Sequence, residues 1–468
     1  MSDRPHILII MPDQHRTDCM SCAGHPVIRT PNMDRLAAEG TRFPRATTTS
    51  PLCMPARASF ISGLYPHQTG MWDNSGSLPA DDATFFQTLQ RSGYRTAHIG
   101  KSHYYPHAPE DHLGNHEPYM HARGFDYVHE TTGPHATRRT DSCMTDHWER
   151  LGLLDRFRDD YNERVGREGP FAVRPSPLPW EEFYDSYVGR QVIEYVERFD
   201  EDRPTCLYVG FPGPHEPWDA PEPYASMYRP EDMPPAIDPE GGAEWLSEAV
   251  RGKMRDGRYP ASLLTSERIA AIRANYCGKI TLIDHWVGRI LEAYERKGWL
   301  DKALVVYFSD HGEMAGDHGR IGKQVFFHGS LDIPFIVRWP GRVPAGVISD
   351  ALAQQIDLYR TILELVGLEA PDRVAGKSLV PVFRNPEHRL RETAFNEVSF
   401  KRRYRTLMAQ TDRLKYAMDE TGDGVYLFDE REDPEERRNL VGHPDYAELE
   451  RDMREHVLRF LVREQVVL

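Results

Sequence analysis

The chain has 468 residues, 40% hydrophobic and 10% aromatic, and a formal net charge of −15. That composition is too apolar for a disordered chain, and the acidic balance argues against a nucleic-acid binder, which carries a basic footprint. The longest apolar runs, such as HILIIM and LVVYF, are strand-sized and well short of the roughly 20 residues of a membrane span. His6–Met11 is predicted as a strand ending at Pro12-Asp13-Gln14, and TPNMDRLAAEGTRF as a helix capped by Thr30 or Asn32 and stopped by Gly40. ATFFQTLQRSGYRTAHIGKSH repeats the pattern, with a helix ending near Gly93 and a strand from Tyr94 to Ile99 running into Gly100-Lys101-Ser102-His103. Residues 104–180 are rich in His, Pro, Gly and charge and are expected to be irregular loops over a site. YVGRQVIEYVERFDED predicts a helix, PTCLYVGF a strand ending at PGPHEPW, and SERIAAIRANYCGKITLIDHWVGRILEAYERKGWL a long amphipathic helical region. ALVVYFSDHG and IPFIVRWPG are further strands. Helices alternating with buried strands predict an α/β fold, a large mainly parallel sheet flanked by helices. Beyond about residue 370, short alternating strands and the charged helix DYAELERDMREHVLRFLVREQ predict a smaller C-terminal antiparallel sheet plus one helix. The expected division is a main domain over residues 1–370 and a C-terminal subdomain over residues 371–468.

Asp13-Gln14, Lys101 and His103, His215, and Asp310-His311 all fall just after apolar strands. Ligands of open α/β sheets bind beyond the carboxyl ends of the strands, so these ends predict one shared site. Asp13 and Asp310-His311 are candidate ligands of a hard divalent cation. A single strand-end aspartate serves at least as often as a turn or helix cap, and the repetition is what favours a metal. Asp317 and His318 in SDHGEMAGDHG are left outside the ligand set.

The six cysteines are Cys19, Cys22, Cys53, Cys143, Cys206 and Cys277. So few in so long a chain make no disulfide scaffold, and the N-terminal segment lacks a signal-peptide pattern, so a reducing, cytoplasmic location is expected. Cys19-x-x-Cys22 has no second pair and no thioredoxin-like context, and is read as two ordinary cysteines. Cys53 differs. It lies between Pro51 and Pro55 at the start of a predicted helix, where anions and thiolates are stabilised, and Arg57 lies one turn on, able to grip an oxyanion. A lone cysteine is most often a small buried hydrophobe, and no histidine base lies near this one in sequence.

Cys53-Met54-Pro55-Ala56-Arg57, C-x-P-x-R, resembles the signature of the type I sulfatases of the alkaline-phosphatase-like superfamily. The resemblance continues through ILIIMPDQ, TPNMDRLAAEGTRF, GLYPHQTG, GYRTAHIGKSH, PHEPW, FSDHGEMAGDHG and IPFIVRWPG to LFDEREDPEERRNL. It implies an alkaline-phosphatase-like fold and hydrolysis of a sulfate monoester. In that family the cysteine is oxidised after synthesis to formylglycine, whose hydrated gem-diol is the nucleophile, so Cys53 is implied to be a precursor. One divalent cation, Ca2+ first and Mn2+ second, is implied at Asp13, the modified Cys53, Asp310 and His311, with Gln14 offering a neutral oxygen where many sulfatases carry a second aspartate. Arg57 is implied to orient the gem-diol, Lys101 to bind sulfate and His103 to help release it. His215 and Lys323 would contact the leaving oxygen and Asn74 the ester oxygens.

The Asp13-Gln14 pair resembles choline sulfatases and phosphonate monoester hydrolases, which makes phosphonate monoester or phosphodiester hydrolysis at the same site the alternative activity. The phosphonate hydrolases carry uncharged hydroxyl residues where this chain has Lys101 and His103. The expected partners are a small-molecule sulfate ester and, during maturation, a formylglycine-generating enzyme, with no nucleic acid and no membrane; a homo-oligomer is left open. Loops within residues 104–180 and 216–262 are expected to set the alcohol part of the substrate. Tyr104, Tyr105, Trp148, Trp180 and Trp218 either stack on a ring or cage an ammonium there, or form loop core. His328 is placed near the pocket rim and given no role.

Overall fold

The computed structural model describes residues 4–79, 83–199, 202–238, 263–400 and 404–464. The main strands are β1 (Ile7–Asp13), β2 (Thr41–Arg42), β3 (Arg95–Gly100), β4 (Tyr127–Glu130), β5 (Thr205–Pro214), β6 (Leu304–Phe308), β7 (Phe335–Arg338) and β8 (Val347–Ile348). They form one sheet in the order β4-β3-β5-β1-β6-β7-β2-β8. Every pairing is parallel except those of β7, which runs antiparallel to β6 and β2.

A strand covered on both faces reads as a continuous apolar run, and β1 is buried at every residue. Its side chains alternate between two cores, Leu8 and Ile10 on one face and Ile7, Ile9 and Met11 on the other. The first core is closed by α1 (Pro31–Ala38) and two longer helices, Tyr184–Arg198 and Ser266–Arg296. The second is closed by α2 (Cys53–Ser62), Phe85–Arg91 and Leu358–Leu365, with Phe60 of α2 meeting Phe85, Tyr208 and Phe308.

The C-terminal sheet has the order β12-β11-β10-β9, all antiparallel, from β9 (Ala394–Phe400), β10 (Tyr404–Gln410), β11 (Leu414–Asp419) and β12 (Gly424–Asp429). Met453 and Val457 of the terminal helix Ala447–Arg463 cover one face. The other face, with Val398, Met408 and Phe428, packs on Leu52, Phe326, Phe327 and Leu331. The small sheet therefore braces both the residue before Cys53 and the segment after Lys323.

Two expectations change, and one open alternative is decided. Residues 104–180 are not loops alone: they hold helices Glu117–Ala122, Cys143–Arg150 and Leu154–Glu163 and supply β4 at the sheet edge. Buried Trp148, Phe157 and Tyr161 anchor them, apolar signals hidden among polar neighbours. Neither Thr30 nor Asn32 caps α1 with its own side chain; the Asp284 carboxylate accepts the Asn32 and Met33 N–H groups at 3.1 and 2.8 Å. Thr30 bonds to Ser21 and Asp34, Asn32 bonds to Asp284, and Pro31 starts the helix at a position that needs no N–H. Tyr104, Tyr105, Trp148 and Trp218 are buried core, and Trp180 leans on Trp286. Of the second specificity loop, residues 239–262 lie outside the described residues. No helix among the described residues is long and apolar enough to cross a membrane.

His328 does not line the pocket. Its Nδ1 lies 2.7 Å from Asp332 and its N–H donates to Glu436, while buried Lys415 pairs with Glu436 at 2.5 Å and Glu430 at 3.5 Å. This network ties the small sheet to the main domain. Burial opposes charge on His328, but Glu436 and Asp332 outweigh both burial and Lys415, and its pKa is pushed up to about 9. Such a group stabilises the fold fully below its ordinary value of about 6.5 and loses that contribution as pH rises through the folded value. The stability deficit of His328→Gln is therefore expected to be largest near about pH 6 and to shrink by about pH 9.5, measured by urea melts of variant and parent. A deficit that grows with pH contradicts the assignment.

Candidate active site

The sheet order sets β3, β5, β1 and β6 side by side. Asp13 closes β1, Lys101 follows β3, His215 follows β5, and Asp310 and His311 follow β6 by two and three residues. Neighbouring strands are about 4.8 Å apart, so all these groups reach one cleft at the carboxyl edge. Gly100 makes the turn there: its φ is +105°, and a Cβ would come within 2.1 Å of the Gly210 carbonyl.

Cys53 enters from α2, as its first residue, and every residue of that helix is buried. Pro55 stands within the first turn, where its missing N–H costs no intrahelical bond. The Met54 N–H, one of the orphan donors, is accepted by Asn74 Oδ1 at 3.0 Å. Asn74 thus caps α2 while also lining the cavity.

Ligand atoms of Asp13, Cys53, Asp310 and His311 all lie within 4.8 Å of one another, and all four residues are buried. Cys53 Sγ is 3.2 Å from His311 Nε2 and 3.8 Å from Asp13 Oδ1. His311 Nδ1 faces the Gly312 carbonyl at 2.9 Å, which orients Nε2 toward the cluster. Burial pushes the His311 imidazole toward its neutral, ligating form. Burial works against both ionised carboxylates, but Lys101 and other cations hold Asp13 well below the usual range, and His311 and Arg57 lead those holding Asp310 below it. Two carboxylates and a neutral imidazole in one buried cluster fit a single divalent cation.

The sequence reading has Arg57 grip an oxyanion and orient the gem-diol, but its guanidinium is engaged elsewhere. Nε donates to Asp310 at 2.8 Å, Nη2 to Asp13 at 3.1 Å and Nη1 to the Lys101 carbonyl at 2.7 Å, all fully buried. Arg57 positions the two carboxylates. Lys101 Nζ also donates to Asp13, and a Cβ on Gly133 would come within 2.9 Å of that nitrogen. Gln14 has φ +72°; its Oε1 accepts from Lys323 and its amide nitrogen donates to Glu216 and Glu313, so its candidate ligand oxygen is shared with Lys323.

Lys323 Nζ lies 3.3 Å from Cys53 Sγ. Burial opposes its charge, yet Cys53 and Asp13 raise its pKa above the ordinary lysine value. His215 Nδ1 contacts the Glu216 carbonyl at 2.8 Å. His103 has a buried Nδ1 with no hydrogen-bond partner, and burial, then Lys101 and His107, hold its pKa well below the ordinary value. Cys53, Lys101, His103, His215, Lys323 and Asn74 line one cavity of about 680 Å3. Sequence reasoning missed the rest of its wall, notably His107, His135, Arg138, Arg139 and Glu216. Only Glu216, beside His215 in PHEPW, had a local signal. Asp317 belongs elsewhere, paired with Arg16 and Arg273. All six cysteines are free, and Cys19 is buried in the core.

The family model described as Sulfatase matches residues 5–368, and one described as N-sulphoglucosamine sulphohydrolase, C-terminal, matches residues 316–463. The chain is 30% identical to an arylsulfatase of Clostridium perfringens, over 95% of this chain and 92% of that protein. It is 30% identical to a choline-sulfatase of Rhizobium meliloti, over 96% and 86% of the two chains. The crystal structure of a phosphonate monoester hydrolase of Agrobacterium radiobacter superposes with a TM-score of 0.82 at 26% identity, covering 99% of this chain and 96% of that one.

Proposed function

Because the chain belongs to the sulfatase family of the alkaline phosphatase superfamily, and is a sulfuric ester hydrolase, we propose that it cleaves a sulfate monoester with a formylglycine made from Cys53. The observation that carries this reading is Cys53 itself. It opens a buried helix inside the candidate metal cluster, with His311 Nε2 and Lys323 Nζ both against its sulfur. Its Sγ stands in for the oxygen of the modified residue.

The site would hold one divalent cation, calcium first and manganese second, through Asp13, Asp310, His311 and the modified Cys53, with Gln14 adjoining. When bound, that cation would draw charge off the sulfuryl oxygens and favour deprotonation of the attacking hydroxyl. Arg57 keeps the two carboxylates fixed. Lys101, held by Asp13 and admitted by Gly133, faces the sulfuryl oxygens. His215 and Lys323 steady the departing oxygen, and His103, kept neutral by burial, accepts or returns a proton as sulfate leaves. A hydrated aldehyde carries two hydroxyls, one to attack sulfur and one whose deprotonation expels sulfate; serine or an unmodified cysteine has no such exit. A formylglycine-generating enzyme is the maturation partner, and the location is cytoplasmic.

Phosphonate monoester or diester hydrolysis is the second reading, favoured by Asp13-Gln14 and by the superposition on a phosphonate monoester hydrolase. Both substrates present one negative charge, so donor placement and room decide. A diester's second organic arm must go where a sulfate keeps a bare oxygen, and Lys101 and His103 line that cavity. A charge-assisted hydrogen bond there is worth roughly 1.5–3 kcal/mol, and an arm would leave its donor unpaired. Sulfate monoesters are therefore expected to exceed phosphorus diesters in kcat/KM, and Lys101→Tyr with His103→Thr to narrow or invert that order. Faster hydrolysis of an aryl phosphonate monoester than of every aryl, choline, steroid or sugar sulfate tried would replace the first reading by the second.

A further inference from the structure

We propose that the alcohol part of the substrate carries a second anionic group, bound by Arg138 and Arg139 on the outer wall of the catalytic cavity. This rests on the sulfatase reading and narrows its substrate class.

The chain has 72 acidic against 57 basic residues, yet among the described residues Glu216 is the single carboxylate lining a cavity that also holds Lys101, Lys323, Arg138 and Arg139. The two lysines are occupied at the reaction centre, by Asp13 and by Gln14 and Cys53. The two arginines are not. Arg138 Nε donates to the neutral Asn162 Oδ1 at 3.0 Å and its guanidinium lies 5.4 Å from the Tyr161 ring centroid. Neither arginine pairs with a carboxylate among the described residues. Nearby Arg158 and Arg164, by contrast, pair with Asp141 at 2.6 Å and Asp160 at 2.5 Å.

The loop that carries the pair is held in place. Thr137 bonds to the Gly133 carbonyl and to Thr132, and the Arg139 carbonyl accepts the Glu110 N–H at 2.7 Å. A guanidinium fork matches a carboxylate or sulfate in two hydrogen bonds. A cavity of about 680 Å3 has room for a sugar-sized alcohol between the two ends. No Phe, Tyr or Trp lines it among the described residues, so a quaternary ammonium would meet arginines there instead of an aromatic cage.

The test compares two matched pairs of sulfate esters on the matured protein: N-acetylglucosamine 6-sulfate against glucosamine 2-N,6-O-disulfate, and phenyl sulfate against 3-carboxyphenyl sulfate. The doubly charged member of at least one pair is expected to have about tenfold or greater kcat/KM, a preference that salt weakens and that Arg138→Gln with Arg139→Gln brings toward one. Salt dependence in the parent protein reads the same interaction should the double variant fold poorly. Equal rates within both pairs, or a preference that survives the double substitution, overturn the proposal. Hydrolysis of an aryl phosphonate monoester but of no sulfate ester sinks the sulfatase reading instead; the same pairs, as competitive inhibitors of that reaction, then decide whether the arginines prefer the second charge.

Discussion

Cys53→Ser is expected to fold like the parent protein and to lose at least about three orders of magnitude in turnover, the range seen when a nucleophile is removed and binding and electrostatics remain. The physical case begins with burial. Cys53 is 2% exposed and forms no disulfide, so an isosteric oxygen costs the fold little. Serine keeps an oxygen beside His311 and Lys323 and keeps the anion-favouring helix N-terminus. It lacks the second hydroxyl that expels sulfate, so any serine sulfate it forms has no comparable way out. Cys53→Ala is the control that removes the oxygen altogether, and circular dichroism with a thermal melt checks that both variants are folded. Near-parental turnover by Cys53→Ser would remove formylglycine from the mechanism.

Asp13→Asn is expected to release the bound cation and to lower turnover by about two to three orders of magnitude, comparable with loss of a major electrostatic stabiliser. An amide keeps the shape of the carboxylate but not its charge. Asp13 also receives Lys101 and Arg57, so the variant leaves two buried cations short of a partner; breaking such a pair costs about 3–5 kcal/mol, and the melting temperature should fall with activity. The parent protein separates the two effects. Prolonged chelation should abolish turnover while the fold survives, and calcium or manganese should restore it. Metal analysis should give one divalent ion per chain in the parent and a substoichiometric amount in Asp13→Asn. A stoichiometric pair of zinc ions, or full activity after exhaustive chelation, contradicts the single-cation site.

The parts of the molecule legible in sequence are those whose physics is local. The runs ILIIM, CLYVGF and LVVYF announce strands because both sheet faces are covered, and Asp13, Lys101, His215 and Asp310 stand out as the polar residues at the carboxyl ends of such runs. Cys53 is legible because two prolines and a helix start surround it. Other features depend on neighbours far along the chain. Two-residue strands such as Thr41–Arg42 and Val347–Ile348 carry no period to detect, and the reversed direction of β7 is a property of the fold. The helices within residues 104–180 are short, and their apolar anchors are scattered among His, Pro and charge. Arg57 stands out in sequence one turn after Cys53, but its contacts do not, because its partners, Asp13 and Asp310, come from two other strand ends. Arg138 and Arg139 are invisible for a related reason: nothing in a loop sequence tells which side chains face a cavity.

The most direct measurement of the central claim is the mass of the tryptic peptide Ala46–Arg57 from catalytically active protein. Conversion of the Cys53 side chain from CH2SH to CHO removes about 18 Da, a covalent change of the kind that alters the physical argument outright. The account predicts that peptide at the lighter mass, reactive toward a hydrazide, in a fraction that rises and falls with specific activity across preparations. Fully active protein whose peptide carries only the unmodified thiol would contradict it.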